Sequence, residues 1–172
     1  MPDMTIRVAT PSDAPAIDAL VREHQAEGHL LPRTLDEIRA HAGRFLVCDS
    51  DGAITACAEL APLSGRVAEV RSLVVKRGFR RAGLAARLVA ELQTRARAQG
   101  FSSLTAFTHD PRTFLKLNFS FVPHLWVPEK IARDCQGCAL FRTCGQHAMV
   151  LSLVETARVG WAPTAPRRVA VA

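Results

Sequence analysis

One feature constrains the fold of this chain more than any other: an apolar, strand-like run that leads through a short basic turn into an amphipathic helix. Val67–Val75 is rich in β-branched and apolar residues, which predicts a strand. Leucines spaced four apart begin at Leu84, which predicts a helix to Gln99 with one buried face, and Gly100 is placed to end it. Only the turn 76–83 lies between them, so the end of the strand must lie beside the start of the helix.

The turn itself has the composition of a phosphate site. It reads Lys76-Arg-Gly-Phe-Arg-Arg-Ala-Gly83 and runs directly into Leu84-Ala85. A helix start presents backbone N–H groups without intrahelical partners, and these groups bind phosphate together with the helix dipole. Small residues at Gly83 and Ala85 allow a pyrophosphate to approach the backbone, and the neighbouring arginines add positive charge. The sequence therefore predicts a site for a polyanionic cofactor here.

The remaining segments alternate between strand and helix patterns. Asp51-Gly52 is a hairpin signal between two of the strands. We predict further strands at Thr5–Ala9, Phe45–Cys48, Ile54–Leu60, Leu104–Phe107, Phe119–Val122 and Ala148–Val154, and helices from Ser12 or Asp13 to His24, after Thr34 and at Arg112–Leu117. Antiparallel strands followed by strand–helix–strand–helix–strand indicate a mixed α/β sheet.

Length, hydropathy and charge argue against membrane-bound and nucleic-acid-binding classes of protein. The 172 residues suit one domain, which we place at 1–155, with a Pro- and Ala-rich tail at 156–172 that we expect to be flexible. No apolar run is long enough for a membrane span and no signal peptide is evident, so we expect a cytoplasmic protein without a membrane partner. The net charge is +6, but aromatics are 6% and tyrosine is absent, so we expect no nucleic-acid partner.

The basic turn resembles the acetyl-CoA signature of the GCN5-related N-acetyltransferases (GNAT), [Gln/Arg]-x-x-Gly-x-[Gly/Ala], in which Arg80, Gly83 and Ala85 fill the defined places. The resemblance implies a bent, mostly antiparallel mixed sheet with flanking helices. Its two central parallel strands, Val67–Val75 and Leu104–Phe107, splay apart to admit acetyl-CoA as co-substrate. It also implies that the backbone of Leu73, Val74 and Val75 pairs with pantetheine, and that the amides of Arg81, Ala82, Gly83, Leu84, Ala85 and Ala86 hold the pyrophosphate.

A narrower resemblance points to the short bacterial N-acetylglutamate synthases. The matching segments are Leu30–Ile38, Ala56–Ala58, Ala68–Val75, Leu104–Thr108 and Lys130–Cys138, continuing to Cys144 and Ala148-Met149. This resemblance implies direct transfer of the acetyl group to the α-amine of L-glutamate in arginine biosynthesis.

Three positions depart from these families. The usual Gly-Phe pair is Asn118-Phe119 here, and Thr108–Pro111 also differs from the synthase sequence. Phe114 stands where many GNAT enzymes have a tyrosine that protonates the departing thiolate. No hydroxyl is available at that position.

Glu69 is the candidate general base, since it matches the strand glutamate that serves as base in the histone-acetylating branch. The alternative is that Glu69 pairs with Arg71, two residues along the same strand face. Arginine binds carboxylates in bidentate fashion, so Arg33 and Arg71 are candidates for the glutamate carboxylates, with Lys130 as a third. For each of these three, an ordinary surface ion pair is the alternative.

The segment 130–147 forms a cysteine-rich loop. Cys135, Cys138, Cys144 and His147 have the ligand types of a structural zinc site. Reduced structural thiols or a redox-responsive pair are the alternatives.

Other functions are also compatible with the sequence. One is acetylation of a different amino acid or small amine. Another is a non-catalytic sensor that binds acetyl-CoA or a metal, for which the missing tyrosine and the cysteines argue. A homodimer is also compatible with the sequence.

Overall fold

The computed structural model describes residues 4–26, 32–141 and 143–154. The predicted tail 156–172, and Leu30 and Leu31 of one matching segment, lie outside the described residues. The elements, in chain order, are β1 Met4–Val8, α1 Ala14–Ala26, α2 Leu35–Ala40, β2 Phe45–Ser50, β3 Ala53–Pro62, β4 Val67–Val75, α3 Leu84–Ala98, β5 Ser103–Thr108, α4 Arg112–Lys116, β6 Ser120–Val122, α5 Pro128–Lys130, a π-helical turn at Ile131–Cys135, and β7 His147–Ser152.

The strands form one seven-stranded sheet in the order β1-β2-β3-β4-β5-β7-β6. Neighbouring strands are antiparallel except for β4 and β5, which are parallel. The hairpin between β2 and β3 turns at Asp51 (φ 51°) and Gly52 (φ 84°), the left-handed pair that a type I′ turn requires. The predicted mixed, mostly antiparallel sheet is confirmed.

The parallel pair diverges, as the resemblance implied. The paired register runs from Val67 opposite Ser103 to Val70 opposite Ala106, and β4 then continues through residues 71–75 away from β5. On its other edge β4 pairs with β3 through a bulge, where Ser72 has φ 48°. A bulge bends the strand and leaves one residue out of the ladder. The gap between β4 and β5 opens on the side where α3 begins.

Helix α3 is fixed against the sheet by its leucine face. Leu84, Leu88 and Leu92 are 1%, 0% and 0% exposed and belong to the main core cluster with residues of β3, β4 and β5. Burial of a leucine side chain stabilises the fold by about 1.5–3 kcal/mol. This packing places the first turn of α3 beside the open end of the β4–β5 gap.

Two local features differ from the predictions. A 3₁₀ turn at Pro11–Asp13 with Thr10 as its N-cap precedes α1, and the Asp13 carboxylate accepts the Thr10 backbone N–H at 2.7 Å. The π-helical turn Ile131–Cys135 was not predicted, since so short an element carries no apolar periodicity. Across the described part of the chain, no helix is long and apolar enough to cross a membrane.

Candidate active site

A cleft of about 1400 Å³ runs from the start of α3 through the gap between β4 and β5. Its first end, the cofactor end, is lined by Leu73, Val75, Arg80, Arg81, Gly83, Leu84, Ala85 and Ala86. Its second end, the acceptor end, is lined by Arg33, Glu37, Glu69, Arg71, Lys130, Arg133 and Asp134. The structure thus brings most of the sequence-predicted site residues to one continuous cleft.

The turn at the cofactor end is held in a conformation that exposes backbone. Gly83 is the N-cap of α3 with φ 76°, and Arg81 is also left-handed at φ 69°. Arg80 Nε donates to the Val75 carbonyl at 3.1 Å, and its Nη2 lies 3.2 Å from His24 Nδ1. The first contact ties the turn to the end of β4, and the second ties it to α1. The first amides of α3 are therefore directed at the cleft without intrahelical partners, which suits a bound phosphate.

Two residues predicted for the cofactor have side chains placed elsewhere. Val74 buries its side chain in the core beside Phe45 and Val47, and Ala82 is exposed outside the lining of the cleft. The prediction for both concerned the backbone, so it stays a prediction.

Four ionised side chains at the acceptor end form what we call the charged cluster: Glu69, Arg71, Lys130 and Asp134. Lys130 Nζ donates to Glu69 Oε1 at 2.7 Å and Oε2 at 3.0 Å, and it lies 2.8 Å from Asp134 Oδ2. Arg71 Nε donates to Glu69 Oε2 at 2.5 Å, and its Nη2 contacts Asp134. The two cations and two carboxylates alternate around a closed ring of contacts. The cluster is therefore internally charge-balanced.

The directions of the pKa shifts indicate the protonation states of Arg71 and Asp134. Burial by itself would lower the pKa of Arg71, but the neighbouring carboxylates Glu69 and Asp134 outweigh it and the pKa is raised. Burial by itself would raise the pKa of Asp134, but the hydrogen bond and charge of Lys130, with the charge of Arg71, hold it below its ordinary value. Both Arg71 and Asp134 are consequently ionised at neutral pH.

Arg33 reaches the same end of the cleft from the segment before α2. Its Nη2 donates to Glu59 Oε2 at 2.7 Å, and Nε lies 3.3 Å from Glu37 Oε1. Glu59 is 1% exposed, so this is a buried ion pair rather than the surface pair considered above. Arg33 is held rigidly and lines the cleft.

For Glu69 the contact with Arg71 predicted as the alternative is present, and Lys130 is a further partner. A base role for Glu69 stays a prediction. The bulge at Ser72 leaves backbone near Leu73 out of the ladder, so a Leu73 N–H remains the candidate to polarise a carbonyl. Phe114 packs edge-on against Phe119 at 5.2 Å and is 4% exposed.

The zinc expectation is not supported. Within the ranges that the structure describes, no three His, Cys, Asp or Glu side chains converge to hold a metal ion. His147 begins β7, where its ring packs on Phe121 at a centroid distance of 5.3 Å. Cys135 and Cys138 are joined by a backbone hydrogen bond of 3.0 Å, while Cys144 is exposed and its Sγ lies 3.9 Å from Gln146 Oε1. The described contacts of His147 are therefore those of a strand residue packed on an aromatic ring, and not those of a metal ligand.

Sequence comparison agrees with this geometry. Residues 14–119 match the acetyltransferase (GNAT) family. The chain belongs to the GNAT family. It is accordingly an acetyl-CoA-dependent N-acetyltransferase, and the splayed strands and the turn before α3 lie in the arrangement that the family resemblance implied.

Among related proteins, an uncharacterized N-acetyltransferase of Chlorobaculum tepidum is 30% identical over 151 residues, covering 88% of this chain and 97% of that protein. An amino-acid acetyltransferase of Neisseria meningitidis is 28% identical over 150 residues, covering 86% of this chain. This GNAT chain spans 33% of that relative's length. It spans 24% of the amino-acid acetyltransferase of Pasteurella multocida, to which it is 31% identical over 60% of its own length.

A solved structure of a related acetyltransferase has a similar fold. The N-acetylglutamate synthase of Neisseria gonorrhoeae, complexed with coenzyme A and N-acetyl-glutamate, superposes with a TM-score of 0.78 at 26% identity. The match covers 90% of this chain and 36% of the synthase.

Sequence reasoning missed Asp134, which lines the acceptor end, and Glu59, the buried partner of Arg33. Asp134 follows Lys130 by four residues, a spacing that places both on one helical face, and this was the available signal. Glu59 stands within the apolar strand β3, and nothing in its spacing connects it with Arg33.

Proposed function

We propose that this GNAT enzyme transfers the acetyl group of acetyl-CoA directly to the α-amine of L-glutamate. The observation that carries the proposal is the set of three basic side chains, Arg33, Arg71 and Lys130, at the acceptor end of the cleft. Guanidinium and ammonium groups bind carboxylates through charge-assisted hydrogen bonds. The similarity to a synthase solved with coenzyme A and N-acetyl-glutamate supports the same acceptor. Roles in arginine biosynthesis and in the cytoplasm follow from this reaction as part of the proposal.

The residues divide the chemistry between them. The amides of residues 81–86 hold the pyrophosphate, and the backbone of Leu73–Val75 holds the pantetheine arm, which brings the thioester into the β4–β5 gap. The neutral amine nitrogen bonds to the carbonyl carbon while Glu69 accepts the proton that this nitrogen loses. The carbon–sulfur bond then breaks and coenzyme A leaves as the thiolate, which takes a proton from solvent. The Leu73 N–H stabilises the oxyanion that forms between these events. Positioning of both reactants contributes most of the acceleration.

A different amino acid or small amine is the second candidate acceptor. It is favoured by one observation: Arg33, Arg71 and Lys130 each already contact a carboxylate of the protein. An acceptor with fewer carboxylates would have to displace fewer of these contacts.

A thiol-release assay with acetyl-CoA and a panel of amino acids tests the proposal. L-Glutamate should give the highest kcat/KM among the acceptors. Arg33→Met should raise the KM for L-glutamate by about tenfold, because a charged hydrogen bond is lost, and leave the KM for acetyl-CoA unchanged. Arg39→Met, on the exposed face of α2 and paired with Asp36, is the matched control and should change neither value. Higher turnover with a neutral amine would favour the second candidate.

A further inference from the structure

The members of the charged cluster differ in how much of each side chain is exposed. Glu69 is 4% exposed and Lys130 9%, whereas Asp134 is 23% exposed at the side-chain level. Asp134 is therefore the carboxylate of the cluster that is most accessible to an acceptor. It lies on the π-helical turn directly after α5, one turn beyond Lys130.

Asp134 contacts both cations that are proposed to bind the acceptor. Its Oδ2 lies 2.8 Å from Lys130 Nζ and also accepts from Arg71 Nη2. A carboxylate in this position satisfies donors that an acceptor carboxylate would otherwise occupy. It also offsets charge, because the formal charges of Glu69 and Asp134 balance those of Arg71 and Lys130 within the cluster.

We infer that Asp134 is a specificity-determining residue: its carboxylate is an internal counter-ion for Arg71 and Lys130, and it sets how many negative charges an acceptor can carry. This inference rests on the proposed function and deepens it, because it concerns the charge of the amino-acid acceptor. An incoming dicarboxylate must share or displace the contacts of Asp134. An acceptor with one carboxylate needs to disturb the cluster less.

The direction of the effect follows from charge alone. Asp134→Asn keeps the size of the side chain and an oxygen that can accept from Lys130, but it removes one negative charge from the cleft wall. The cluster then carries a net positive charge, and the more anionic of two acceptors gains more. L-Glutamate and L-glutamine have nearly the same shape and differ by one charge, so they are the appropriate pair of probes.

The experiment compares the two amino acids on the full chain with acetyl-CoA present, and on the coenzyme A complex by calorimetric titration. In Asp134→Asn, the ratio of kcat/KM for L-glutamate over L-glutamine should rise about tenfold over wild type, and the ratio of binding constants should rise with it. The matched control is Asp36→Asn. Asp36 is also ion-paired, to Arg39 at 2.9 Å, but it is 92% exposed on α2, and its removal should leave both ratios unchanged.

The outcomes separate the two proposals. If Asp134 only holds the turn in place, the substitution lowers kcat/KM for both amino acids by the same factor, and that result overturns the inference alone. An unchanged ratio of the two binding constants in Asp134→Asn would also overturn the inference and leave the proposed function standing. If neither amino acid binds or reacts with either protein, the proposed function and the inference fail together.

Discussion

Both carboxylate oxygens of Glu69 are occupied: Lys130 Nζ donates to each of them, and Arg71 Nε donates to one. A base in such a position must exchange one of these donors for the acceptor's amine. In the proposed reaction, an anionic acceptor would make this exchange possible, since its carboxylates would give Lys130 and Arg71 new partners. The resting contacts and the proposed base role are thus compatible.

Substitution of Glu69 separates chemistry from binding. Glu69→Gln should lower kcat by about 10²- to 10⁴-fold, because the group that accepts the amine proton is lost. The dissociation constant for acetyl-CoA should change less than about twofold, because the cofactor amides lie at the other end of the cleft. Single-turnover kinetics and calorimetry measure the two quantities.

Glu91→Gln serves as the control for that experiment. Glu91 is exposed on α3, outside the lining of the cleft, and its substitution should leave kcat unchanged. If Glu69→Gln retains kcat within about threefold of wild type, Glu69 acts as a structural partner of Lys130 and Arg71 rather than as the base.

At the residue scale, contacts between residues close in sequence were predictable from their spacing, and contacts between distant residues were not. Glu69 and Arg71 stand two apart on one strand, so their shared face and their contact were predictable. The partners Arg33 and Glu59 come from a loop and a strand, and their meeting depends on the tertiary fold. For the cysteines and His147, ligand-like composition did not lead to a metal site, because no three such side chains converge among the residues that the structure describes.

At the element scale, the turn between β4 and α3 depends on the backbone of Gly83. A side chain added there would meet no protein atom within 4 Å, so the cost of a substitution comes from the left-handed φ of 76° and, in the proposed complex, from the approaching phosphate. Gly100 at the end of α3 has φ 81° and equally open surroundings, but it is remote from the cleft lining. The two glycines form a matched pair.

Gly83→Ala should raise the dissociation constant for coenzyme A by about tenfold, because an L-residue in the left-handed region costs about 1–2 kcal/mol and shifts the amides. Gly100→Ala should lower the free energy of unfolding by a similar amount and leave coenzyme A affinity unchanged. Calorimetry and urea unfolding measure the pair. Equal affinities for coenzyme A in the two variants would contradict the assignment of the turn.

A second element-scale feature links β1, β2 and the start of α1. Arg7 Nη1 lies 2.8 Å from Asp13 Oδ2, and Nη2 lies 2.9 Å from Asp49 Oδ2. The hydrogen bonds from Arg7 hold the pKa of Asp13 well below its ordinary value of 3.8. This arrangement ties the first strand to the first helix.

The pH dependence of stability follows from that lowered pKa. Because the folded state binds the Asp13 proton more weakly than the unfolded state does, the stabilisation is complete above the ordinary pKa of 3.8 and is lost as pH falls below it. The difference in free energy of unfolding between wild type and Asp13→Asn should therefore be largest near pH 7 and shrink below pH about 4. Urea unfolding across this range measures it. A difference that grows towards acid pH would contradict the role of Arg7.

The bounds of helices and strands were predicted well where the apolar pattern extends over many residues. The bounds of β4 agree with the sequence pattern, and α3 ends one residue before the predicted Gln99. The sequence pattern did not predict the short helical turns between β6 and β7, which include Ile131–Cys135. These turns are held by side-chain contacts such as that of Lys130 with Asp134 rather than by an apolar face. The acceptor end was consequently less predictable than the cofactor end.

At the scale of the whole molecule, the sheet order was not derivable from periodicity. The sequence pattern indicates which segments are strands, but the place of β7 between β5 and β6 depends on long-range register, such as Phe107 opposite Ala148. The divergence of β4 from β5 was predicted from family resemblance alone. A homodimer stays a prediction, which sedimentation analysis at two protein concentrations tests.

In the proposed complex, the first amides of α3 and the end of β4 bind the coenzyme in the gap between β4 and β5. Amide hydrogen exchange with and without coenzyme A, resolved to single residues, tests it most directly. We expect slowed exchange at residues 81–86 and 73–75, with residues of β1 and β2 unchanged. Slowed exchange elsewhere with residues 81–86 unaffected, or no change at saturating coenzyme A, would contradict it.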